Sequence, residues 1–257
     1  MKAHNLLPCL LATVVFSSCL TSEPDTPTIQ PAEYEVLFSE TIVDESGAGV
    51  EGATLALWTG NQRYTAVTDG NGTYNLLVEA AEFPETGQVA LSLYHPEHYL
   101  LPLVYSAPLL GGTTYRAKGS VLKSCAGCLS VFTSLGVPHE LFHVGDDSYN
   151  GSANSQFQKA TDAVEGMEFS FVGTGSGPVK VTFYAKGVQG SCTNNTVALN
   201  GSYYEMDPSP DNGDYRAYAF RFDPVSGPQT LRITTAANCS NTDRDDWEFI
   251  GLTVEEE

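Results

Sequence analysis

Apolar and polar positions alternate with a period of two along most of the chain, and turn residues break the alternation every eight to twelve positions. Strands are predicted over Glu35 to Val43, Ala53 to Thr59, Arg63 to Thr68, Thr73 to Val78, Gln88 to Tyr94, Tyr99 to Tyr105 and Thr113 to Leu122. Asp69-Gly70-Asn71-Gly72 is a strong hairpin signal between two of them. A second series covers Leu129 to Thr133, Glu140 to Val144, Gln156 to Ala160, Glu168 to Val172 and Val179 to Lys186. It continues through Thr196 to Leu199, Tyr215 to Phe222, Gln229 to Thr235 and Trp247 to Val254. No segment carries a convincing helical period. The chain therefore reads as all-β, with two tandem β-sandwiches: about seven strands in the first, and about nine in a jelly-roll arrangement in the second.

The sharpest motif falls inside the second series. His139-Glu140-Leu141-Phe142-His143 spells HExxH, which binds zinc only when its histidines lie one helical turn apart. In an extended strand the same two residues are roughly 13 Å apart. Gly145 leaves room for about two turns at most. The longer metzincin pattern fails as well, with Asp146 where it has Gly and Tyr149 where it has His. A strand is expected, with Phe142 and Val144 on one face and Leu141 and His143 on the other. A zinc peptidase acting through His139, Glu140 and His143 is the enzymatic alternative.

Upstream of the strands, residues 1–19 have the plan of a signal peptide: Lys2, an apolar run from Leu6 to Phe16, then Ser17-Ser18-Cys19. Small residues before a cysteine resemble the bacterial lipobox, whose cysteine is acylated, although Phe16 departs from the aliphatic residue usual three positions earlier. Acylation of Cys19 implies a lipid anchor at the bacterial cell envelope, in the outer membrane; the alternative is an ordinary cleaved signal. Residues 20–33, rich in proline, form an extended linker.

Four further cysteines allow three pairings in an oxidising compartment. Joining Cys125 to Cys128 and Cys192 to Cys239 pairs neighbours first and keeps the second bridge within one domain. Cys125-x-x-Cys128 lacks the following histidine of a haem site, a second ligand pair for zinc and a thioredoxin-like context. It reads as a disulfide-stiffened joint over 123–128, between units at 34–122 and 129–257.

Of 257 residues, 12 are basic and 31 acidic, a formal net charge of −19. Such a surface excludes nucleic acid and anionic membrane faces as direct partners. Clustered carboxylates and oxygen-rich loops instead suit calcium. Asn-x-Ser/Thr sites begin at Asn71, Asn150, Asn194, Asn200 and Asn238, and are plain loop positions in a bacterial lipoprotein.

Gly49-Val50-Glu51-Gly52-Ala53-Thr54-Leu55, followed by Thr68-Asp69-Gly70-Asn71-Gly72-Thr73-Tyr74, resembles the carboxypeptidase regulatory-like domain, a transthyretin-like seven-stranded sandwich. That resemblance implies an accessory module with no catalytic residue of its own. Asp245-Asp246-Trp247-Glu248-Phe249-Ile250-Gly251-Leu252-Thr253-Val254 resembles the closing strand of galactose-binding-like jelly rolls and carbohydrate-binding modules. Gly145 to Asn154 and Val197 to Gly201 fit the same family. The resemblance implies a structural calcium held by Asp146, Asp147 and Asp246, with Glu140 or Asn150 adding oxygen, and glycan contact through Tyr149, Tyr203, Tyr204 and Trp247.

No Ser-His-Asp or Cys-His arrangement and no Gly-x-Ser-x-Gly elbow is present. The expected function is non-catalytic binding at the envelope with glycans as ligand class, and a structural spacer or protein-interaction module is the alternative.

Overall fold

The computed structural model describes residues 29–59, 62–99, 102–116, 121–124, 128–129, 131–133, 141–146, 162–189, 192–210, 213–240 and 244–257. The chain folds as two β-sandwiches in tandem.

The first sandwich contains β1 (Glu35–Thr41), β2 (Val43–Asp44), β3 (Thr54–Thr59), β4 (Gln62–Val67), β5 (Thr73–Glu79), β6 (Gln88–Tyr94), β7 (His98–Tyr99), β8 (Leu103–Ser106), β9 (Thr113–Tyr115) and β10 (Val121–Ser124). They form sheets in the orders β5-β1-β9, β4-β3-β6-β8 and β2-β10-β7. Alternation decides which face is buried. In β5, Tyr74, Leu76 and Val78 point inward while Asn75, Leu77 and Glu79 face water. They join Val36, Phe38, Leu55, Leu57, Val89 and Leu91 in one core. The predicted strand from Tyr99 to Tyr105 is two strands, β7 and β8, because Pro102 has no N–H to give to a ladder. The one from Thr113 to Leu122 likewise divides, with β9 pairing parallel to β1 and β10 parallel to β2 in another sheet.

The second sandwich contains β11 (Phe132–Thr133), β12 (Phe142–Val144), β13 (Asp162–Ala163), β14 (Gly166–Thr174), β15 (Val179–Lys186), β16 (Thr196–Leu199), β17 (Ser202–Glu205), β18 (Arg216–Phe222), β19 (Ser226–Thr234) and β20 (Trp247–Glu256). Two five-stranded sheets, β11-β14-β19-β16-β17 and β13-β12-β20-β15-β18, face each other across a core that includes Phe142, Val144, Phe169, Phe183, Leu231, Trp247 and Phe249. The predicted strand from Gln156 to Ala160 lies outside the described residues. β17 is an addition to the predicted set. Asn200 (φ 50°) and Gly201 (φ 79°) form the two-residue turn that creates it, a conformation this dipeptide favours because neither residue is strained at positive φ.

The sandwiches meet sheet on sheet. β20 is buried on both faces along Trp247 to Val254, unlike β14, whose outward residues are exposed. The cover on its outer face is β6 of the first sandwich: Ala90, Leu141 and Ile250 form a small apolar cluster flanked by Trp58, Val104, Tyr184 and Tyr215. At Gly251 (φ 69°) the register between β15 and β20 shifts, and a Cβ there would lie 3.2 Å from Cδ of Pro102 in the first sandwich.

Candidate functional site

At one side of the second sandwich the two sheets end in β17 and β18, each paired on one side only. Cross-strand register fixes what β17 presents. Tyr204 sits opposite Val197 and so turns toward the inner face, whereas Tyr203 sits opposite Ala198 on the outer face. The Tyr204 ring bridges the open edge between the sheets: its centroid is 5.6 Å from that of Phe220 and 5.1 Å from that of Phe222 on β18. Its hydroxyl donates to the Arg221 carbonyl at 2.5 Å. Tyr204 thereby closes an aromatic run that starts in the core at Trp247 and passes through Phe183 and Phe220.

Both tyrosines remain accessible, Tyr203 at 64% and Tyr204 at 42% of their full surface. Polar groups stand on either side of them. On the outer face the cross-strand row runs Tyr203, Ala198, Arg232 and Glu168, with Arg232 and Glu168 paired at 2.7 Å. On the other side Glu257 accepts from Arg221 at 3.0 Å and pairs with Lys180 at 3.3 Å. Hydrogen bonding from these two groups holds the Glu257 carboxyl below the usual carboxylate range. Two exposed aromatic faces with planar charged groups beside them can stack on the C–H face of a sugar ring and hydrogen-bond its hydroxyls.

The other predicted site residues are distributed differently. Trp247 offers no platform: it is fully buried in the core and its indole N–H donates to Asn195 Oδ1 at 3.0 Å, because its position on β20 points between the sheets. Glu140, Asp147, Tyr149 and Asn150, together with His139, lie outside the described residues. Asp146 Oδ2 accepts from the Arg244 N–H at 3.1 Å. Asp246 is buried, with Oδ1 3.6 Å from His143 Nε2 and so close to Gly145 that a Cβ there would overlap it. Among the described residues no three His, Cys, Asp or Glu side chains cluster as a metal site. His143 itself is in strand β12, with Phe142 and Val144 in the core and Leu141 on the opposite face.

Cys192 and Cys239 form a disulfide with Cα atoms 5.0 Å apart. Cys128 is also disulfide-bonded, while Cys125, its expected partner, is outside the described residues.

A second polar constellation had no sequence signal as a site. Across the outer face of one sheet, His143, Glu248 and Lys186 occupy one cross-strand row under the first sandwich. Lys186 Nζ lies 3.0 Å from Glu248 Oε1, 2.5 Å from the Gln88 carbonyl and 5.1 Å from the centroid of Tyr215. Tyr215 donates its hydroxyl to Glu248 at 2.7 Å and its backbone N–H to Gln88 Oε1 at 2.9 Å. Burial and the Glu248 charge raise the Tyr215 phenol well above its ordinary range. Lys186 and Glu248 are fully enclosed and satisfy each other, so this is a clamp between the sandwiches.

No protein-family model and no curated protein matches the chain. Among solved structures it is similar to CBM35 from Cellvibrio japonicus Abf62, at 14% identity over 50% of this chain and 96% of that one, with a TM-score of 0.28. Xyl-CBM35 in complex with a glucuronic acid containing disaccharide matches at 15% identity over 49% and 96%, with a TM-score of 0.27. SGBP-B from a complex xyloglucan utilization locus in Bacteroides uniformis matches at 9% identity over 85% and 73%, with a TM-score of 0.26. Likenesses at these scores transfer neither ligand nor activity to this chain.

Proposed function

We propose that this protein is a non-catalytic glycan-binding module displayed at the bacterial cell envelope, attached through acylated Cys19 and raised from the membrane by residues 20–33. The observation that carries the reading is the pair Tyr203 and Tyr204: adjacent, exposed aromatic residues on an edge strand, one of them braced by Phe220, Phe222 and the Arg221 carbonyl. Arg221, Glu257, Arg232 and Glu168 supply polar contacts beside the rings. An aromatic residue held open at a sheet edge loses little conformational freedom when a sugar stacks on it. The experiment is affinity electrophoresis of the folded chain through gels containing soluble polysaccharides. Retardation by at least one polysaccharide, lost in Tyr203→Ala, is the expected result. Unchanged mobility in every gel overturns the reading.

A structural calcium completes this proposal, with Asp146, Asp147 and Asp246 as carboxylate ligands and Glu140 or Asn150 adding oxygen. Stoichiometric calcium in the purified chain and a melting temperature lowered by chelator are its expected signs. The buried clamp of Lys186, Glu248, Tyr215 and Gln88 favours a second reading, a structural spacer or protein-interaction module, since it joins the two sandwiches firmly without contributing to the tyrosine edge. Absence of glycan binding with co-purification of an envelope protein would select it.

A further inference from the structure

We propose that His95 and His98 form a binding site for a divalent late transition-metal ion, copper(II) foremost and nickel(II) more weakly. The two residues end a tight connection between β6 and β7. Pro96 and Glu97 lie at its tip, and the His98 N–H faces the His95 carbonyl at 3.4 Å. This turn brings the imidazoles together with ring centroids 4.6 Å apart, planes inclined at 74°, and Nδ1 to Nδ1 2.9 Å.

Hydrogen accounting fixes the protons. The Glu97 backbone N–H, which can only donate, points at His95 Nδ1 at 3.1 Å, so that nitrogen is bare. His95 is thereby locked in the tautomer whose Nδ1 lone pair faces His98, and His98 Nδ1 supplies the proton between them. The Glu51 backbone also acts on the His95 ring, in the sense that favours its protonated form. Replacing the shared proton with a metal requires that the His98 proton move to its Nε2 and that the Glu97 N–H give up the His95 Nδ1 lone pair to the ion; both rings stay neutral.

Separation selects the metal. With metal–nitrogen bonds of about 2.0–2.1 Å, two nitrogens 2.9 Å apart subtend about 90° at the ion. That is the cis angle of square-planar or octahedral coordination and is narrower than tetrahedral zinc requires. Imidazole ligands in tetragonal geometry with water completing the set suit copper(II) and nickel(II). Asp44 acts on His98 through its charge while its carboxylate is held by Ser46 and Ala48, so it contributes negative potential to the site. Both histidines are half-buried.

The test is titration of the full, tag-free chain with copper(II) and separately nickel(II), alongside His95→Ala and His98→Ala. One equivalent of copper is expected, with nickel weaker and each substitution lowering copper affinity about tenfold or more. Because a substituted turn could misfold, electron paramagnetic resonance of the unsubstituted copper-loaded chain gives a second readout, in which hyperfine splitting from two equivalent imidazole nitrogens is expected. Copper binding that survives both substitutions, splitting from other than two imidazoles, or no binding by the unsubstituted chain overturns the proposal.

Discussion

Lys186 and Glu248 stand directly opposite each other on antiparallel β15 and β20, 3.0 Å apart and with no side-chain surface open to water. Removing one charge strands the other in a dry interface, whereas losing a neutral neighbour costs far less. Glu248→Gln is therefore expected to destabilise by about 3–5 kcal/mol, and Lys186→Met by a similar amount. Gln88→Ala retains the carbonyl that accepts from Lys186 and loses only the acceptor for the Tyr215 N–H, a cost of about 1–3 kcal/mol. Equilibrium denaturation in urea checks the order. Equal losses for Glu248→Gln and Gln88→Ala would show that the ion pair is not what clamps the sandwiches.

The bridge between Cys192 and Cys239 closes a loop with a sequence separation of 47. Most of its effect falls on the unfolded chain, which loses freedom when the loop is tied. Cys192→Ala with Cys239→Ala is expected to lower stability by about 2–4 kcal/mol. The polar net beside it, where Asn195 accepts from Ala236 and Trp247 and donates to Asp245, should keep the local strands paired. Denaturation midpoints of the unsubstituted and doubly substituted chains measure the difference, and circular dichroism reports whether β content survives.

How much of this was legible in the sequence depended on whether a residue's role is decided within its own strand. The two-residue period of β14 and the alternation of Phe142 and Val144 with Leu141 and His143 are local, and they were readable. Asn200-Gly201 is the turn that makes Ser202 to Glu205 a strand, but that strand is short and without inward leucines or valines, so β17 escaped prediction. Glu248 and Lys186 look like ordinary solvated residues on alternating strands. Only the covering of their sheet face by the first sandwich makes them buried, and that packing has no trace in a period. Trp247 misled in the opposite sense, since an aromatic beside two aspartates suits a sugar platform until its register points it inward.

Alkaline titration distinguishes buried from exposed phenols. Burial lifts Tyr105 and Tyr218 from 10.0 to about 12, against the lowering effect of Tyr74 on the first and of Arg216 on the second. The folded state thus holds these protons more tightly than the unfolded chain. Their stabilising contribution is whole below pH 10 and declines as pH rises from 10 toward 12. Tyrosinate absorbance should include a late, unfolding-linked step from Tyr105 and Tyr218. A single step near pH 10 for all thirteen tyrosines would contradict the buried placement.

Binding and folding should separate at the tyrosine edge. Tyr203 projects from the outer face with 64% of its surface exposed and no ring neighbour among the described contacts, so Tyr203→Ala should change stability by less than about 0.5 kcal/mol. Tyr204 packs on Phe220 and Phe222 and donates to the Arg221 carbonyl. Tyr204→Phe keeps the packing and loses the hydrogen bond, a cost of about 0.5–1.5 kcal/mol, while Tyr204→Ala also loosens β18 and should cost more. If the rings stack on sugar, Tyr203→Ala abolishes retardation in polysaccharide gels at full stability, and Tyr204→Phe retains most of it because the ring face remains. Retention that instead follows stability across the three variants would mean that the edge matters to the fold alone, and that any glycan is held elsewhere.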